Sequence, residues 1–355
     1  MPHKIRIGYV PCSTDAAFSH PADYRRFVGY ARARGLSFEV ARWDEKYDLV
    51  ILTGHADISI WRNYPHGKVV YDLIDSYLAI PWTDVKGCLR GVAKFISRQH
   101  RQLQVSYWAA IRNMCRRSDA VICTTDVQRS SILPFCENVH VLLDQHGTVA
   151  SAVKENYKKG DPIKLVWEGL ASNIDQLGTI RSVLRELGRR YQIELNVVTD
   201  LEGFRFLGKF GKVSSSRLVE RIFDRVKVHK WDKNTFAAII TGCDIALIPI
   251  DFGNLGAVGK PENKLGLLWR MGMPVVTSAT PAYIRAMSEA GQVLTCRTDA
   301  EWTEKLEQLI LDEQARREAG EGGRKYALCR FDEAQIHSQW DAVFRSVGFE
   351  FSGKS

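Results

Sequence analysis

Short apolar runs recur along the whole chain with longer amphipathic stretches between them, and this alternation is what most restricts the fold. A short continuous apolar run suits a strand buried on both faces, and such strands pair in parallel only through long crossovers, usually helical. Strands are expected at 5–10, 38–42, 49–53, 69–72, 120–124 and 139–142, with helices near 21–34, 85–117 and 126–135. The rhythm pauses at 150–161, a polar segment poor in large hydrophobes that reads as a linker, and then restarts. Further strands are expected at 164–167, 194–199, 226–229, 245–248, 274–277 and 292–295. Helices fall near 175–191, 214–223, 233–241, 262–270, 281–290 and 300–311. The expectation is an α/β chain of two doubly wound, Rossmann-like domains, 1–150 and 151–330, with 331–355 a helix that crosses back to the first. Doubly wound sheets bind ligands at the carboxyl ends of their strands, which points to a cleft between the two domains.

Composition narrows the partners. The eight cysteines form no CxxC pair and no histidines flank them at zinc-finger spacing, so they read as reduced thiols with no metal site. The first residues run straight into a strand pattern with no signal peptide, and no 18-residue apolar run follows, so a cytoplasmic protein is expected. A net charge of +8 favours anionic partners. The first strand leads into Pro11-Cys12-Ser13 without a GxGxxG, which argues against a dinucleotide oxidoreductase.

The most informative stretch runs from Leu247-Ile248-Pro249-Ile250-Asp251 through Gly253-Asn254-Leu255-Gly256 to Lys260-Pro261-Glu262-Asn263-Lys264-Leu265. A buried strand ends in a glycine-containing loop, and a helix starts near Pro261 with Glu262 in its first turn. That helix stops at Gly272, and Pro274 opens the next buried strand. A helix start offers unpaired N–H groups and a partial positive charge, and Lys260 and Lys264 add two cations beside it. The combination suits a diphosphate.

The pattern Lys260-x-x-Asn263-Lys264-Leu265, followed by Gly272-x-Pro274-Val275-Val276-x-Ser278, resembles the donor-binding region of glycosyltransferase family 4 and its GT-B relatives. Trp167-Glu168-Gly169 resembles the opening strand and glycine turn of that nucleotide-binding domain. Val70-Tyr71-Asp72-Leu73-Ile74-Asp75 resembles the strand and acidic loop facing the acceptor. The chain departs from the family's Glu-x7-Glu pair, with Gly259 and Leu267 at those positions.

The resemblance implies a GT-B glycosyltransferase, hexosyltransferase-like, retaining and metal-independent, although inversion stays open without the glutamate pair. The donor is a nucleoside diphosphate-sugar, held by Gly169, Asp251, Lys260, Asn263 and Lys264, with Glu262 a substitute ribose carboxylate. No separate cofactor is implied. The acceptor is a glycan or lipid-linked hydroxyl compound, as in bacterial surface polysaccharide or glycoconjugate synthesis.

Acceptor-side candidates come from strand ends. Asp75 and Asp72 follow one apolar run and His55 follows another, and each could take a hydroxyl proton. The 85–117 stretch carries Lys86, Arg90, Lys94, Arg98 and Arg101 at three- and four-residue steps, and no Asp or Glu lies between Asp84 and Asp119. It reads as a solvated helix face or as a dock for an anionic membrane surface, on the inner face of the membrane. No nucleic-acid partner is expected. Two other readings remain: a non-catalytic GT-B subunit that binds a partner or glycan, and a sugar-nucleotide epimerase.

Overall fold

The computed structural model describes residues 5–79, 85–206 and 210–351. It divides into two compact units, Met1–Gln145 with Glu333–Ser355, and His146–Asp332.

Unit 1 holds the strands β1 (Ile7–Val10), β2 (Glu39–Val40), β3 (Leu49–Leu52), β4 (Lys68–Asp72), β5 (Ala120–Cys123) and β6 (Val139–Val141). They form one parallel sheet in the order β2-β1-β3-β4-β5-β6. Alternate residues face opposite sides, so the apolar run of β3 fills two cores. Val50 and Leu52 pack with Trp61, Tyr64 and Met114, while Leu49 and Ile51 pack with Phe27, Tyr30 and Trp340. Trp340 belongs to the helix Glu333–Ser346, which also sends Ile336, Val343 and Phe344 into that second core.

Unit 2 holds β7 (Ile163–Glu168), β8 (Ile193–Thr199), β9 (Glu202–Phe206), β10 (Phe210–Ser214), β11 (Val226–Lys230), β12 (Ile245–Ile248), β13 (Val275–Ser278) and β14 (Thr295–Cys296). Six of them make a second parallel sheet in the order β11-β8-β7-β12-β13-β14, and β9 and β10 pair separately as an antiparallel hairpin. The two-sheet α/β architecture is the one expected from the rhythm of apolar runs.

Several elements differ from expectation. The helix expected over 85–117 is two helices, Val85–Ile96 and Tyr107–Arg117, with Arg98 at φ 59° between them. No Gly or Pro marks this break. It is made by tertiary contacts, because the backbone N–H of Arg101 donates to Asp57 and that of Gln102 to Ser59 Oγ. The helix over 21–34 likewise breaks, at Arg26, whose side chain turns into the core.

The helix Glu313–Arg330 lies outside the expected helices, and its Gly320, Gly322 and Gly323 each weigh against helix formation. Their value is in packing. A Cβ on Gly323 would lie 2.3 Å from the Trp269 indole, and one on Gly320 would lie 2.3 Å from the Gly272 carbonyl. Gly266 on the facing helix has the same constraint against the Phe331 ring. These glycines let Glu313–Arg330 press directly onto the helix Asn263–Arg270.

The β9–β10 hairpin lies outside the expected elements as well, and the strand expected at 292–295 is the shorter Thr295–Cys296. The segment 150–161 is packed rather than a free linker. Lys154 Nζ donates to the Cys243 carbonyl at 2.6 Å, and the Tyr157 hydroxyl donates to the Gly272 carbonyl at 2.9 Å.

Candidate active site

Strand order locates a crevice in each sheet. In unit 2 the chain leaves β7 for β8 on one side and returns to β12 on the other, so loops diverge from the carboxyl ends of β7 and β12. Such a switch point is where doubly wound sheets bind ligands.

The donor candidates meet there. Lys264 Nζ donates to the Glu168 carbonyl at 2.6 Å and lies 5.1 Å from the centre of a Trp167 ring. Gly169 makes room for both. A Cβ there would sit 2.8 Å from the indole and 3.1 Å from the Lys264 ammonium nitrogen. The two loops are also tied directly, since the Asp251 N–H donates to Gln176 Oε1 at 2.6 Å. The Asp251 carboxylate caps its own turn by accepting from the Gly253 N–H at 2.9 Å. Asn263 opens the helix, and Lys260 is exposed just before it.

Glu262 departs from expectation. It is the N-cap residue rather than part of the first turn, and its side chain is 1% exposed. Its Oε1 is held by Arg285 and lies 3.5 Å from Arg330 Nε. This pairing turns the carboxylate inward, away from any surface a ribose could touch.

In unit 1 the reversal falls between β1 and β3. The loop after β1 is clamped by buried Asp23, which accepts from the N–H groups of Cys12 and Ser13 at 2.8 and 2.7 Å. The loop after β3 carries His55, exposed, with Nδ1 3.1 Å from the Cys12 carbonyl oxygen. A carbonyl can only accept, so His55 Nδ1 carries the proton and the neutral ring keeps its lone pair on Nε2.

His20 stands beside it with ring centres 5.5 Å apart. Its Nδ1 accepts from the Ala22 N–H, leaving Nε2–H as a donor. Burial, and then the neighbouring His55, lower its pKa. Sequence reasoning passed over His20, although its loop leaves the same strand edge as His55.

Asp75 lies one strand further along, after β4. It is half-buried and accepts from the Tyr77 hydroxyl at 3.0 Å. Asp72 cannot act as a base. It is 1% exposed, and both carboxylate oxygens accept from Arg26, Nε and Nη2 each at 2.7 Å. Burial raises the Asp72 carboxyl above its ordinary range while the guanidinium pulls it down. The strand-end position was legible in the sequence; the inward direction of the side chain was not.

Comparisons with known proteins bear on this geometry. No family model and no curated protein sequence matches the chain. Solved structures do. WaaG, a glycosyltransferase involved in lipopolysaccharide biosynthesis, matches with a TM-score of 0.59 at 15% identity over 97% of this chain and 100% of its own. Sucrose-phosphate synthase from Thermosynechococcus elongatus matches with a TM-score of 0.60 at 13% identity, over 85% of this chain and 74% of that one. A mutant of S. aureus TarM, in complex with Fondaparinux, alpha-GlcNAc-glycerol and UDP, matches at 12% identity with a TM-score of 0.55. That match covers 83% of this chain, which spans about half of TarM's length. Identities this low speak for the fold alone, and over most of its length the chain has the GT-B fold of these glycosyltransferases.

Proposed function

We propose that the chain transfers a sugar from a nucleoside diphosphate-sugar to a hydroxyl acceptor. The observation that carries this is the meeting of Gly169, Lys264 and the start of the helix Asn263–Arg270 at the β7–β12 switch point of a GT-B fold. A diphosphate at that helix start meets the partial positive charge of the helix and the Lys264 and Lys260 ammonium groups. Positive charge waiting where the leaving group develops negative charge lowers the barrier without covalent participation by the protein. UDP in the TarM complex supports a uridine nucleotide as the first donor to try. On the acceptor side, His55 Nε2 receives the hydroxyl proton and the His20 Nε2–H donates to a neighbouring oxygen.

Lys264→Ala tests the donor half. Losing a charge-assisted hydrogen bond costs about 1.5–3 kcal/mol, so UDP affinity measured by calorimetry is expected to fall roughly ten- to a hundred-fold. Folding stability is expected to drop by about 1.5–3 kcal/mol, for the lost charge-assisted bond to the Glu168 carbonyl, so affinity is compared on protein shown to be folded. Affinity equal to wild type would remove Lys264 from the site.

The proposed acceptor is a glycan or lipid-linked hydroxyl compound of glycoconjugate synthesis, met by a cytoplasmic enzyme at an anionic membrane. No helix among the described residues is long and apolar enough to cross a membrane. The surface that favours docking is specific. Phe95, Ile96, Leu103 and Val105 are 41%, 68%, 50% and 75% exposed, close in sequence to exposed Arg98 and Arg101. Apolar side chains beside cations suit an interface with anionic headgroups. Co-sedimentation with phosphatidylglycerol vesicles, absent with phosphatidylcholine vesicles and weakened by salt, is the expected result. Screening acts over a Debye length of about 8 Å at physiological ionic strength, so the salt dependence should be steep. Equal binding to both vesicle types would defeat the proposal.

A further inference from the structure

Arg90 and Lys94 stand one turn apart on the helix Val85–Ile96 and converge on one aromatic ring. The Lys94 ammonium lies 5.0 Å and the Arg90 guanidinium 5.8 Å from the centre of Tyr107. Arg90 also covers the Tyr77 ring at 4.4 Å and donates to its hydroxyl at 2.8 Å. That hydroxyl donates onward to Asp75, so the guanidinium is held in place through two hydrogen bonds. The helix packs closely on the segment that follows it. Gly91 lies against the Gln104 backbone, where a Cβ would fall 2.1 Å from the carbonyl oxygen.

Two like charges set side by side and partly dried oppose each other. Burial, reinforced by the charge of Arg90, brings the Lys94 ammonium down to about 8. An imidazole stands next to them. His100 is 2% exposed, its ring centre lies 5.9 Å from that of Tyr107, and neither ring nitrogen has a hydrogen-bond partner among the described residues. Leaving a buried polar group unsatisfied costs about 1–3 kcal/mol. Burial and the Lys94 charge hold the His100 ring near 4, so near neutral pH it carries one N–H donor and no charge. The nearby carboxylates are already engaged. Asp75 takes the Tyr77 hydroxyl, and Asp57 takes the N–H groups of Ser59 and Arg101. An anion with several acceptor oxygens would relieve the repulsion and give the imidazole a partner.

We propose that Arg90, Lys94 and His100 form a phosphate subsite in unit 1 that binds a phosphate ester on the acceptor. The word "acceptor" rests on the glycosyltransferase reading; the anion site does not. A tetrahedral phosphate offers more acceptor oxygens than a carboxylate, enough for one to each of the three groups.

The test uses the full chain, with and without saturating UDP, in two arms. The first titrates glycerol phosphate by calorimetry, with glycerol as the uncharged control. The second measures co-sedimentation with phosphatidylcholine vesicles carrying phosphatidic acid. Glycerol phosphate is expected to bind and glycerol not. Lys94→Met and Arg90→Gln are each expected to weaken binding at least ten-fold, while Arg129→Gln, at an exposed position on the helix Asp126–Ile132, leaves it unchanged. A difference between these variants and wild type that appears only on vesicles, and exceeds that of Arg98→Gln, assigns the site to lipid-borne phosphate. Wild-type behaviour of Lys94→Met and Arg90→Gln in both arms overturns the subsite. Thermal melting checks that each variant is folded, and Tyr77→Phe, which keeps both cations but frees Arg90, should weaken binding by a smaller factor. Lost UDP binding with glycerol phosphate binding intact would sink the nucleotide reading and leave the subsite standing.

Discussion

Asp72→Asn is expected to destabilise the protein by about 3–5 kcal/mol, the usual result of removing one partner from a buried ion pair. The Arg26 guanidinium would stay buried and lose its bidentate carboxylate, leaving Asp144 Oδ1 at 3.0 Å as a charged partner beside the Leu142 carbonyl at 3.2 Å and the one oxygen the amide retains. Urea denaturation should show a lowered midpoint with an unchanged slope, because the area exposed on unfolding is the same. An Asp72→Leu, Arg26→Met double variant should recover much of the loss, since replacing both charges by apolar groups avoids the uncompensated one. Wild-type stability in Asp72→Asn, with turnover abolished, would instead return Asp72 to the list of bases.

His55→Ala is expected to lower turnover roughly a hundred- to ten-thousand-fold, the range of general base catalysis, while leaving UDP affinity near wild type. The Cys12 carbonyl that fixes the ring tautomer is a backbone group, so the orientation does not depend on a second side chain. Partial recovery by added imidazole would identify the missing proton acceptor directly. Asp75→Asn should have the smaller effect, because Asp75 stands a strand away from the β1–β3 switch point and already accepts the Tyr77 hydroxyl. A larger loss in Asp75→Asn than in His55→Ala would reverse that order.

Much of the fold was legible because buried parallel strands need nearly unbroken apolar runs, and Leu49–Leu52, Ala120–Cys123 and Ile245–Ile248 are such runs. The arrangement at the β7–β12 edge was legible for a related reason. Gly169, Lys264 and the helix end at Gly272 are set by backbone geometry, which sequence spacing reports well. What stayed hidden depends on contacts between distant residues. Nothing near 97–106 says that Asp57 and Ser59 will hold it out of a helix. Nothing near Gly320 says that a tryptophan on another helix needs the space at Gly323. Asp72 and Glu262 both sit at element ends, as expected, and both turn inward to arginines that no local pattern announces.

The helix Glu333–Ser346 has a consequence for how the protein is made. Its Ile336, Trp340, Val343 and Phe344 complete a core whose earlier members lie before residue 145, yet the ribosome produces all of unit 2 in between. At a synthesis rate of about 5–20 residues per second, the first-half core, complete once Leu142 is made, waits on the order of ten to forty seconds for that cover. Unit 2, whose strands all fall within one continuous stretch, can close first. During that interval the nascent first half presents an uncovered aromatic face, the state in which chaperone binding and aggregation compete for it.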